Sequence, residues 1–182
     1  MLTEIHVKLP KYKTHWREIC AILPVNLPDG INGTEITYLD GTKEHIPKRL
    51  CWVLDDILLH LRSSTDVLKK QSRMVLGKTA RRVPLVLKKE FSLVPVKGRE
   101  KVGEYDAVTG YIVLGHAEKI IGADDDVHVQ FTGGANVQVY DNPRTLADKI
   151  RTVQNMLEQM KPLQSAESQT EQNLSIRRPV KH

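Results

Sequence analysis

Little in these 182 residues could act as a covalent staple. Two cysteines, Cys20 and Cys51, are too few for a disulfide framework and predict a reducing, cytoplasmic setting. Cys51 falls beside the apolar stripe of an expected helix, which predicts a small buried core residue. Aromatic residues make up only 5% of the chain, and Trp16, Trp52, Phe91 and Phe131 are dispersed. A single-strand stacking platform needs several aromatics on adjacent strands, so that class is disfavoured. No run approaches the roughly 18 apolar residues of a membrane span. The opening MLTEIHVKLPKYKTHW lacks the apolar centre of a signal peptide, so neither membrane insertion nor export is expected.

Recognisable site chemistry is equally sparse. The histidines are scattered without zinc-ligand spacing, and Asp124-Asp125-Asp126 lacks the ligand spacing and glycine of a calcium loop. Gly77-Lys78-Thr79 looks like the end of a phosphate-binding loop, but Ser72 stands where that loop requires its first glycine. The surrounding pattern is also helix then strand, the reverse of what such a loop needs. With no paired carboxylates or nucleophile–base set, the expectation is a non-enzyme without metal or cofactor.

What is present is an ordinary globular balance, 40% hydrophobic and 27% charged. The length predicts one domain at roughly 100–200 residues each. Residues 1–16 read as a loose N-terminal arm, residues 17–161 as a single α+β domain, and residues 162–182 as a disordered polar tail rich in Gln, Ser and Glu. Arg17 to Leu23 predicts a strand stopped by Pro24. Thr34 to Leu39 and Thr42 to Ile46 predict a hairpin about Asp40-Gly41. Pro47 suits a helix opening, and Leu50, Leu54, Ile57, Leu58 and Leu61 share one helical face. Ser63 to Asp66 can cap a second helix that ends before Gly77. Val83 to Leu87 and Phe91 to Val96 predict a hairpin turning at Lys88-Lys89-Glu90, with its prolines at edges or bulges. Tyr111 to Leu114 is a further strand. Val127 to Phe131 and Val137 to Tyr140 alternate cleanly as another hairpin. Asn142-Pro143 opens a third helix whose stripe Leu146, Ile150, Val153, Leu157 and Met160 favours packing on the home core over a dimer seam. The expected architecture is therefore α+β, with mixed, mainly antiparallel strands and about three helices.

Charge is distributed unevenly. The chain carries +5 overall, but residues 69–101 hold 11 basic residues against Glu90 and Glu100, a local net of +9, leaving −4 elsewhere. Arg81-Arg82 precede one strand, Lys88-Lys89 occupy the turn, and Lys97, Arg99 and Lys101 follow the second strand. Packed together, these residues would present a polyanion surface. A docking face for an acidic protein partner is the competing expectation, and a solvated lysine face the bland one. Too few aromatics for stacking turns the choice of polyanion toward duplex DNA.

The order of pieces resembles the competence transcription factor ComK family of bacterial regulators over roughly residues 17–157. The resemblance rests on Asp40-Gly41, the helix around Leu50 to Leu61, Leu76-Gly77-Lys78 leading to Arg82-Val83-Pro84-Leu85-Val86, and Phe91-Ser92-Leu93-Val94-Pro95-Val96. The alternating pair His128 to Phe131 and Val137 to Tyr140 and the closing helix complete it. The chain departs from the family pattern at Val96-Lys97-Gly98-Arg99 and at Tyr111-Ile112. The resemblance implies a transcription activator that binds AT-rich duplex DNA chiefly through the minor groove as cooperating subunits, controlled by an adaptor delivering it to a AAA+ protease. Because the minor groove separates mainly A·T from G·C, selectivity would come from groove width and bendability. Local charge names Arg81, Arg82 and Arg99 for the groove, and Lys78, Lys88, Lys89, Lys97 and Lys101 for phosphates.

Overall fold

The computed structural model describes residues 9–77, 82–101, 108–123 and 126–176, with the backbone alone over 161–176. In chain order come α1 (Lys11–Thr14), β1 (Ile19–Asn26), β2 (Asn32–Tyr38), β3 (Lys43–Ile46), α2 (Leu50–His60), α3 (Thr65–Leu76), β4 (Leu85–Lys88), β5 (Phe91–Lys97), β6 (Thr109–Val113), β7 (Ala117–Ala123), β8 (Asp126–Phe131), β9 (Asn136–Val139) and α4 (Pro143–Ile176). Among the described residues, nine strands and four helices, three of the helices longer than two turns, make an α+β fold whose strand pairs are antiparallel throughout.

Six strands form one sheet in the order β3-β2-β1-β6-β5-β4, and β7-β8-β9 form a second. Alternation along the inner strands sends side chains to opposite faces. Leu85, Phe91, Leu93, Tyr111 and Val113 pack with Leu54, Ile57 and Leu58 of α2 and Leu68 of α3. Val86, Val94, Val96 and Ile112 pack on the other face with Val127, Val129 and Phe131 of the small sheet and with Leu146, Val153 and Met156 of α4. One sheet thus separates two cores, and the stripe on α4 is spent on the second of them.

Several elements differ from the sequence expectation for local reasons. Residues 11–16 are docked rather than loose. Tyr12 and Trp16 are buried in the first core, the Tyr12 hydroxyl donates to Asp56 Oδ2 at 2.7 Å, and Lys13 pairs with Asp56 Oδ1 at 2.7 Å. β1 runs through Pro24 to Asn26, because Pro24 pairs with Thr34 of β2 while the ladder to β6 spans only Ala21 and Ile22. Pro95 likewise sits in an inner strand, beyond the end of the β4 ladder at Leu93; its missing N–H interrupts nothing there. α2 begins at Leu50, with Arg49 rather than a residue near Pro47 at the cap. β7 has no counterpart in the sequence expectation, since it is mostly exposed and shows no alternation. Cys51 is exposed, not buried in the core. The backbone of α4 is helical from Pro143 to Ile176; Gln, Glu and Ala are good helix formers. Residues 177–182 lie outside the described residues.

The capping and turn chemistry agrees with the residues that carry it. Ser64 Oγ accepts from the Val67 amide at 3.3 Å to cap α3, and Gly77 ends it with φ +88°. Asn142 Oδ1 accepts from the Arg144 amide at 2.9 Å at the start of α4.

Candidate nucleic-acid interface

The register of the large sheet decides where the basic residues meet. β5 runs from Phe91 to Lys97, so Lys88-Lys89 and Lys97 lie at opposite ends of it, about 20 Å apart at ~3.3 Å per residue. The expected single convergence is therefore divided. At one end, Lys88 Nζ sits 4.4 Å from the centre of the Trp16 ring, which Arg17 also covers at 4.4 Å. These two cations shield an aromatic that itself meets Phe91 edge-on at 5.7 Å. Lys88 thus has a packing role, and Lys89 is exposed beside it. Lys78 and Arg81 lie outside the described residues.

The other end gathers cations from separate loops. Antiparallel pairing brings Thr109 opposite Lys97, Asn26 opposite Asn32, and Ile46 opposite Thr34, all at the same end. Arg82 precedes β4 there, and Ser72 of α3 donates its hydroxyl to the Pro84 carbonyl at 2.5 Å, which holds that approach against α3. Lys97 is fixed through its backbone. Its amide donates to Asp141 Oδ2 at 2.5 Å, its carbonyl accepts from the Tyr140 amide at 2.7 Å, and Asp141 is neutralised by Lys149 at 2.6 Å. The Arg99 guanidinium donates to Asn26 and Asn32, which hold it across the mouth of the β1–β2 loop. Lys101 is exposed beyond it.

Two cations at this end, Lys48 and Arg49, escaped the charge count because they belong to a different stretch of sequence. Thr34 donates its hydroxyl to the Lys48 carbonyl at 2.7 Å and so ties the pre-helix loop to β2. Arg49 caps α2 and is exposed, without a side-chain capping bond. The available signal was a pair of cations immediately before a helix start, where the helix dipole disfavours positive charge. Among the described residues, Arg49, Arg82, Lys97 and Lys101 make no ion pair with a carboxylate. Asp29 and Glu100 are the exposed carboxylates on the described parts of these loops. The result is a rim in which cations outnumber carboxylates, drawn from three loops.

A cleft of about 370 Å³ opens in this rim between the first turn of α2 and the ends of β2 and β6. It is lined by Arg49, Arg99, Asn32 and Tyr111 among others, with no carboxylate among the described residues of its wall. Among the described residues, no group of three or more His, Cys, Asp or Glu side chains could hold a metal ion, and no helix is long and apolar enough to cross a membrane.

Compared with protein-family models, curated proteins and solved structures, the chain matches none.

Proposed function

We propose that this chain is a DNA-binding transcription activator that takes AT-rich duplex along the Lys97 end of its large sheet. The observation that carries this reading is the rim itself: Lys48, Arg49, Arg82, Lys97, Arg99 and Lys101 come from separate loops to one end of the fold, with few carboxylates among them. Six strands at ~4.8 Å spacing make that end about 24 Å wide. A duplex carries on the order of a dozen phosphates over such a length, so a handful of cations has partners available. Arg82, exposed on the approach to β4, is the candidate for a narrow A-tract minor groove. Arg99, already held by Asn26 and Asn32, acts as a fixed contact rather than an inserting one. The order of sequence motifs shared with the ComK-like regulators supports the same reading.

A second reading, a protein-interaction module, is favoured by a different surface. Trp52 and Leu59 are 70% and 73% exposed and stand two turns apart on the outward face of α2. Apolar side chains paired in this way mark protein contacts more often than nucleic-acid ones. The two readings separate on one experiment, the titration of AT-rich and GC-rich duplexes at several salt concentrations. Tighter AT-rich binding that weakens steeply with salt supports the activator. Equal affinity for both duplexes removes groove selectivity, and no retention on duplex at physiological salt leaves the protein-docking module.

A further inference from the structure

We propose that the outer edge of β9 takes up an extended segment of a partner protein as a further strand of the small sheet, seated in the groove between β9 and β1. β9 stands last in the order β7-β8-β9. In an antiparallel pair, successive residues point their backbone groups alternately toward the neighbouring strand and away from it. The Phe131 amide donates to the Ala135 carbonyl at 2.9 Å, so Val137 and Val139 face β8, while Asn136, Gln138 and Tyr140 face away. Tyr140 shows this directly, since its amide donates to the Lys97 carbonyl of β5 at 2.7 Å. That bond fixes where the edge looks, toward the loop that leaves β5. Asn136 and Gln138 continue the same edge, and their backbone groups are open to another strand.

Open edges are templates for pairing, and folded proteins protect them with charge, proline, bulges or cover. The other three outer strands of the described sheets follow that rule. β3 carries Lys43, Glu44 and His45. β4 is bulged between Val86 and Lys88 and packs against α3 and α4. β7 is bulged between Ala117 and Lys119, carries Glu118 and Lys119, and meets α4. β9, with the sequence Asn136-Val137-Gln138-Val139, has no charge, no proline and no bulge.

The second observation is the groove. It encloses about 400 Å³ between Val137, Gln138 and Tyr140 on one side and Leu23, Pro24 and Val25 of β1 on the other. Leu23 belongs to the core between the two sheets, so the floor continues an interface that the fold already has. A strand added to β9 would lay alternate side chains on this apolar floor and the rest beside the exposed Asn136 and Gln138. Charge in the lining is balanced, Glu35 and Glu100 against Lys43 and Arg99. Glu35 is moreover bonded to Lys43 and to His45, each at 2.9 Å. A neutral segment alternating apolar and polar residues matches such a groove, whereas a phosphate backbone would meet carboxylates in its wall. The groove lies across the large sheet from Trp52 and Leu59, whose helix packs on the first core, and it does not rest on the DNA reading.

The test is a titration of the full chain with a capped peptide alternating valine and threonine, followed by amide NMR and hydrogen exchange. Saturable shifts and slowed exchange are expected at the Asn136 and Gln138 amides, with the Val137 and Val139 amides, already turned to β8, little changed. Gln138→Pro deletes the outward donor at an edge position where proline is tolerated and leaves the β8 ladder intact. It should weaken binding by about tenfold or more, as when a hydrogen-bond partner is left unpaired. Val25→Lys, which puts a charge on the floor, should weaken it comparably and decides the matter if Gln138→Pro does not fold. A titration without saturation, shifts that bypass the β9 amides, or binding that survives the substitutions intact overturns the proposal. An AT-rich duplex added to the complex should leave the peptide in place. Displacement of the peptide by duplex would make the groove a nucleic-acid surface and overturn it as well.

Discussion

Thr37 is the residue whose chemistry is least well served by its surroundings. It is buried in β2, and its hydroxyl has no partner, although its backbone carbonyl accepts from Cys20 Sγ at 3.2 Å. Replacing a buried, unbonded hydroxyl by a methyl removes a desolvation cost and keeps the shape. Thr37→Val should therefore stabilise the fold by about 1 kcal/mol in a denaturant melt; a loss of stability would show that the hydroxyl has a partner after all. Asp56 makes the opposite case. Burial works to raise its pKa, but hydrogen bonds from Lys13 and Tyr12 outweigh burial and hold it below the usual carboxylate range. The unfolded chain then takes up its proton at higher pH than the folded one. The contribution of Asp56 is complete above its unfolded pKa and is lost as pH falls through the folded value. Melting curves between neutral and acid pH should decline less steeply for Asp56→Asn than for the parent chain, from a lower neutral starting point. Neither residue announces itself in the sequence. Partners such as Tyr12 and Asp56 are brought together only by tertiary packing, and no local periodicity encodes that.

At the scale of elements, local signals worked where they were strong. Asp40-Gly41 turns β2 into β3, Ser64 and Gly77 bound α3, and Asn142 opens α4. Each is a short-range preference that tertiary context had no cause to override. The prolines misled in β1 because the cost of a missing N–H depends on which neighbour stands opposite, and Pro24 lies past the short β6 ladder. β7 was illegible because its exposed run lacks the alternation that betrays a half-buried strand. Close approach between strands supplies a sharper test. A Cβ on Gly110 of β6 would lie 2.7 Å from Leu23 Cδ2 and 2.9 Å from the Ile22 carbonyl oxygen. Since the second of these is backbone, it cannot swing aside, and Gly110→Ala should cost about 1–3 kcal/mol of stability by the usual penalty for overpacking. A melt unchanged within error would mean that β1 and β6 are further apart than described. The Asp141 carboxylate ties α4 to β5 through the Lys97 amide and Lys149, so Asp141→Ala should cost about 2 kcal/mol, as for loss of a charged hydrogen bond.

For the molecule as a whole, composition identified the basic segment but not its division. A linear count could not tell that β5 carries Lys88-Lys89 to one end and Lys97 to the other, or that Lys48 and Arg49 would join the latter from elsewhere in the chain. The division is itself testable. Arg82→Glu should weaken duplex binding strongly and reduce the salt slope, by roughly 0.9 in log–log terms for each phosphate no longer neutralised. Lys89→Glu, at the far end and beside the Trp16 stack, should leave the slope near that of the parent. Equal effects from both would return the binding surface to a single patch spanning the sheet.

The strand order has a further consequence for how the chain is made. β1 lies between β2, its neighbour in sequence, and β6, whose Tyr111 and Ile112 meet Ile22 and Ala21 only late in synthesis. A ribosome-bound chain that has emerged only through α3 must therefore hold β1 with one flank bare, and β4 and β5 cannot join the first three strands until β6 bridges them. Such non-local closure is slow and leaves edges open to other chains. Nascent chains arrested before β6 should depend on holding factors, and release beyond β6 should end that dependence in one step.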